Sequence, residues 1–165
     1  MAQIDLILAK VKFQSIIQGA LPDVKDEGVI EVFEARHPVL QIKGNDVVSN
    51  NLSLGVGENQ GMILSGPNSG GKTIALKIFG LLSLMVNDGI PLPISSGRVD
   101  YFSKVLADIG DMQNVNEDLS TFSGHLLVCK SVLDQCGKNS LVRKFVYFCI
   151  IMICLYSHYL NWLLI

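Results

Sequence analysis

The run Gly66-Pro67-Asn68-Ser69-Gly70-Gly71-Lys72-Thr73 limits the possible folds of this chain more than any other feature. Ahead of it, Gly61 to Ser65 is a short apolar segment bounded by glycines, the pattern of a strand buried on both faces. Behind it, a helical pattern opens at Lys72 and runs to Asp88, with Gly89 as a left-handed cap and Pro91 and Pro93 beyond. Strand, glycine loop and helix in that order indicate α/β architecture. Gly66 and Gly71 let the backbone curl so that N–H groups face phosphate oxygens, and the new helix adds its positive dipole end. Lys72 can reach the β- and γ-phosphates, and the Thr73 hydroxyl can join a magnesium shell. Chance gives G-x-x-x-x-G-K-[ST] in on the order of one chain in a hundred or fewer at this length. The expected ligands are therefore ATP or a similar triphosphate, and magnesium.

Around this unit the chain reads as one domain. Residues 3 to 18 place Ile4, Ile7, Leu8 and Val11 on one stripe, suited to a helix packed on something else and ending near Gly19. The segment 29 to 35 alternates as a strand, Val29, Glu31 and Phe33 on one face and Ile30, Val32 and Glu34 on the other, until His37-Pro38 breaks it. Short extended pieces are predicted at Val39 to Ile42 and Leu52 to Leu54, a strand at Lys104 to Ile109, and a helix from Thr121 to Cys136 with Ser120 as N-cap. The four cysteines form no CxxC pair, which fits a reducing compartment and neither a zinc site nor a disulfide framework. Asp5 interrupts the apolar N-terminus, against a secretory signal. A net charge of -2 removes any broad electrostatic footprint for nucleic acid.

Every Lys, Arg, Asp and Glu lies at or before Lys144. The last 21 residues, 145 to 165, hold 18 apolar side chains and six of the twelve aromatics. Two readings of this tail stay open. It is long enough as a helix to cross one bilayer, about 30 Å, with Arg143 and Lys144 marking the cytoplasmic side. Alternatively, Val142-Arg143 is what the intron opening GTAAGA spells, and the tail is translated non-coding sequence.

GPNSGGKT, preceded by ARHPVL (35 to 40) and followed by LADIGDMQNVNEDLSTFSGH (106 to 125), resembles the ATPase domain of the MutS family, in the branch that suppresses recombination and acts on stalled ribosomes. The resemblance spans about residues 1 to 142. It implies an incomplete ABC-like P-loop NTPase fold, with an apolar C-terminal helix or tail, working as a homodimer or with a full-length MutS-type partner. It divides the chain into a helix from a preceding lever region (1–20), a partial ATPase domain (21–142) and the hydrophobic tail (143–165). Asn68 then stands beside the γ-phosphate as a polariser of water, and Val47 and Val48 bracket the adenine ring. The alternative for the valines is a place in the core. Ser120 and Thr121 match the signature loop that faces the partner's γ-phosphate across the dimer, and a plain N-cap accounts for the same residues. Asp108, Asp111 and Gln113 form either a metal-facing turn or a solvated one, and His125 reads as structural.

Hydrolysis needs carboxylates at the end of a strand beside the glycine-loop strand. In the family that strand begins like Lys138-Asn139-Ser140-Leu141-Val142 and leads to an Asp-Glu pair, whereas here Asp134 is the last acid. The resemblance thus implies ATP binding with impaired hydrolysis, and contact with DNA or a ribosome only through the rest of such an assembly. It also implies that the Gly61–Ser65 strand loses a neighbour and exposes an edge, unless the IIMI stretch of the tail refills the slot. The competing function is a tail-anchored membrane protein that binds a nucleotide or a partner through its soluble part.

Overall fold

The computed structural model describes residues 1–57, 61–65, 71–107, 130–131, 134–135, 137, 140–146 and 149–155. Within them the chain is a small α/β domain: α1 (Ala2–Ile17), β1 (Ile30–Ala35), α2 (Pro38–Ile42), β2 (Asn50–Leu54), β3 (Gly61–Ser65), α3 (Lys72–Asn87), β4 (Ser96–Val99), β5 (Lys104–Ala107), β6 (Ser140–Val146) and β7 (Cys149–Leu155). One sheet runs β2-β1-β4 and the other β3-β7-β6-β5.

The first sheet is antiparallel throughout. In β1, Ile30 and Val32 point into the core while Glu31 and Phe33 face out. Simple alternation would then send Glu34 inward. Instead Glu34 takes φ 52, the pairing with β2 shifts between Val32 and Ala35, and Ala35 becomes the next buried residue. This bulge keeps a carboxylate out of an apolar interior, and the freed Glu34 N–H donates to Asn51 Oδ1 at 2.9 Å. Behind β4, Asp100 is fully buried and accepts N–H groups from Lys25, Glu27 and Val29, each at 3.0 Å. Arg98 donates to both its oxygens at 2.7 Å. Burial works against the charge of Asp100, but Arg98 and the three backbone donors outweigh it and hold the carboxyl below its usual range. Those bonds clamp the 25–29 segment onto β4.

Helix α3 begins at Gly71, which takes the left-handed φ of 73 as its N-cap. It ends at Asp88, followed by Gly89 at φ 60 as the αL residue expected there. Its apolar face places Leu76, Ile78, Phe79, Leu82 and Met85 in the core, each contributing about 1.5–3 kcal/mol by burial. Those side chains join Ile30, Val32 and Val99 of the first sheet and Leu141 of the second in a single cluster.

Several expectations are corrected. The ABC-like P-loop NTPase fold with an apolar C-terminal helix is not the architecture found. β3 stands at the edge of a mixed four-stranded sheet, and Ile63 is 67% exposed, so this strand is not buried on both faces. The tail is not a helix where it is described: β6 and β7 form an antiparallel hairpin. No helix among the described residues is long and apolar enough to cross a membrane, and the described part of the tail is strand where the transmembrane reading expected a helix. Val39 to Ile42 is helical rather than extended, because His37 accepts the Leu40 N–H through Nδ1 and Pro38 sits at the first helical position, where its fixed φ favours a helix. The stripe Ile4, Ile7, Leu8 and Val11 is exposed. Among the described residues the second half of α1 is held, by Lys10 on the Asp88 carbonyl, packing of Phe13 on the core, Gln41 on the Ile17 carbonyl and burial of Ile17.

Other expectations match. β5 covers the described part of the Lys104–Ile109 strand. Lys130, Ser131, Asp134 and Gln135 are helical within Thr121–Cys136, the rest of which lies outside the described residues.

Candidate functional site

The site is assembled from three short pieces of backbone geometry. The first is the exit of α2, where the Gly44 N–H donates to the Gln41 carbonyl and the Asn45 N–H to the Leu40 carbonyl, with Gly44 at φ 74. These two bonds are the Schellman stop of a helix, and they turn the chain so that Asn45 to Val48 cross toward α3. The second is the start of β2, with Asn50 and Leu52. The third is the junction of β3 and α3, where Leu64 and Ser65 end the strand and Gly71, Lys72, Ile74 and Ala75 open the helix.

Together these pieces line one cavity of about 640 Å³. That is within the range of about 300–1,000 Å³ typical of ligand pockets. Val47 and Val48 line it, as do Gly71 and Lys72, so two groups of predicted site residues separated by more than twenty positions share one space. The core alternative for the valines fails: Val48 is 81% exposed and Val47 half-buried. At Gly71 a Cβ would meet no atom within 4 Å, so the backbone there borders open space. The first N–H groups of α3 have no partner within the helix and carry its positive end. Lys72 is half-buried and Thr73 exposed at that end.

Gly66, Pro67, Asn68, Ser69 and Gly70 lie outside the described residues, as do Asp108, Asp111, Gln113, Ser120, Thr121 and His125. Sequence reasoning missed Leu40, Asn50, Asn51 and Ile74 as lining residues. Gly44 six residues before Asn50 was the available signal, since a helix stop there returns the loop toward α3.

The described charges of the cavity wall are Lys72 and Asp46. Asp46 sits in the loop with the valines, and neither β5 nor β6 carries an acid. Among the described residues no group of His, Cys, Asp and Glu is arranged to hold a metal ion. His37, which caps α2 next to the cavity, is buried, and that burial together with the charge of Lys77 lowers its pKa. It therefore caps as the neutral imidazole.

Residues 62–143 match the family model of MutS domain V. Three curated proteins called "Endonuclease MutS2" are similar over 141 residues, 85% of this chain: those of Clostridium botulinum (strain ATCC 19397 / Type A) at 40% identity, Aquifex aeolicus (strain VF5) at 41%, and Clostridium perfringens (strain 13 / Type A) at 40%. The matched stretch is 18% of each of those proteins, so the chain spans about a fifth of the length of the relatives it matches.

Proposed function

This chain belongs to the MutS family, and on that premise we propose that it is the nucleotide-binding part of a MutS2-type protein that acts on DNA. The observation that carries the reading is the single cavity shared by Val47, Val48, Gly71 and Lys72. In it ATP lies with its base against the valine ledge and its phosphates at the start of α3. The residues present fit such a ligand, since a left-handed glycine, a helix N-terminus and a lysine converge where the polyphosphate would sit. Gly66 to Gly70 would complete the cradle by backbone N–H groups, with Asn68 nearest the γ-phosphate, and the Thr73 hydroxyl would join the magnesium shell. Magnesium, when bound, neutralises phosphate charge.

The chain binds ATP and hydrolyses it poorly. Positioning an attacking water takes a carboxylate close to the phosphate end. Among the described lining residues the only one is Asp46, on the base side. In a longer protein of this kind, nucleotide binding would close a dimer, with Ser120 and Thr121 of one subunit facing the partner's nucleotide, and pass that closure to DNA. A ribosome is the other target that such an assembly would grip.

Titration of the whole chain with a fluorescent ATP analogue and magnesium tests the reading. Lys72→Ala should weaken binding at least about tenfold, the loss of one charge-assisted phosphate contact of about 1.5 kcal/mol or more, in a variant that still unfolds cooperatively. Equal affinity in the two proteins would sink the proposal.

A further inference from the structure

We infer, resting on the nucleotide reading above, that this site selects the triphosphate and is nearly indifferent to the base, and that Val48 is the residue that sets this. The two ends of the cavity differ in kind. At the start of α3 the geometry is fixed by backbone: the left-handed Gly71, the first turn of a 16-residue helix, and Lys72. At the base end the wall is aliphatic, made by Val47, Val48, Leu40 and Leu52, and the described lining includes no aromatic ring. Val48 is 81% exposed, so it is a ledge and not a closed slot.

Such a wall rewards any base by the apolar area it covers, and adds no ring stacking that would favour one ring system over another. Discrimination by base edge requires a polar group that the wrong base would leave buried and unpaired. The polar residues at this end do not meet that condition. Asn45, Asp46 and Asn51 are exposed, and water takes up their polar atoms when a base edge does not match. The Asn51 side-chain Oδ1 already accepts the Glu34 N–H at 2.9 Å, and the Asn50 side-chain Nδ2 donates to the Val48 backbone carbonyl at 3.3 Å. Binding strength is therefore concentrated on the phosphates, which every nucleoside triphosphate shares.

The test is competition by ATP, GTP, CTP and inorganic tripolyphosphate against a fluorescent ATP analogue on the whole chain, with Lys72→Ala alongside. The three nucleotides should compete within about threefold of one another. Val48→Tyr supplies the missing ring on an exposed residue and should tighten all three by about three- to tenfold through stacking, leaving tripolyphosphate unchanged. A tenfold or greater preference for ATP over GTP and CTP overturns base indifference while leaving the nucleotide reading intact. Unchanged nucleotide affinity in Val48→Tyr, or an equal gain for tripolyphosphate, removes Val48 from the role. Failure of every competitor, with Lys72→Ala behaving as the parent, overturns the nucleotide reading itself and this inference with it.

Discussion

The two sheets share one core and are built by different rules. In β2-β1-β4 each strand has a buried face, a bulge keeps Glu34 out of the interior, and a buried carboxylate ties the connecting segment to the edge. In β3-β7-β6-β5, three strands run in one direction and β7 runs against them, inserted between β3 and β6. Its Ile150 to Ile153 lie opposite Leu64 to Gly61. The first sheet is specified by side chains with a single compatible place. The second is completed by an apolar extended segment, β7, that pairs with the two backbone edges beside it.

Asp100→Ala should have the largest effect. It removes the shared acceptor of three part-buried N–H groups and leaves the Arg98 guanidinium with Glu27 as its partner, at a cost of about 3–5 kcal/mol in denaturant unfolding. Next comes Ile151→Pro in β7. This strand is hydrogen-bonded on both sides, so a residue without an N–H should lower stability by roughly 3 kcal/mol or more. Should that variant unfold like the parent, β7 has no part in the stable fold and the contrast between the sheets collapses. Gly97→Ala should cost about 2 kcal/mol, because φ is 142 there and a Cβ would run into the Glu31 carbonyl oxygen and the Val32 backbone across the strand pair.

The smallest expected effect is a pH slope. His37 has a folded pKa below its unfolded value near 6.5, so between the two values the unfolded chain binds the extra proton. Its contribution is complete above about pH 6.5 and declines as pH falls through that value toward the folded one. Asp100, a lowered carboxyl, keeps its contribution down to about pH 4 and loses it below. Stability measured from pH 7.5 to 5.5 should fall in the parent and flatten in His37→Asn, which can still cap α2.

Much of the candidate site was legible because its signals are local. The helix that starts at Lys72 and the stop at Gly89 each follow from one residue's backbone freedom or one missing donor. Val47 and Val48 came from resemblance, and the fold then set them in the lining of the cavity that Lys72 also borders. His37-Pro38 was read as a strand break when it was also a helix start, since both readings use the same fixed proline φ. The bulge at Glu34 was invisible, because alternation alone gives no reason to skip a residue.

The sequence by itself determined the strand Gly61–Ser65, the extent of α3 and the boundary at Lys144, since torsional preference, capping and charge are written residue by residue. Only the tertiary structure decided that Cys149–Leu155, in the apolar segment after that boundary, forms β7. A run of apolar residues carries no address of its own, and its partner is set by the unpaired N–H and C=O groups of the strands it meets.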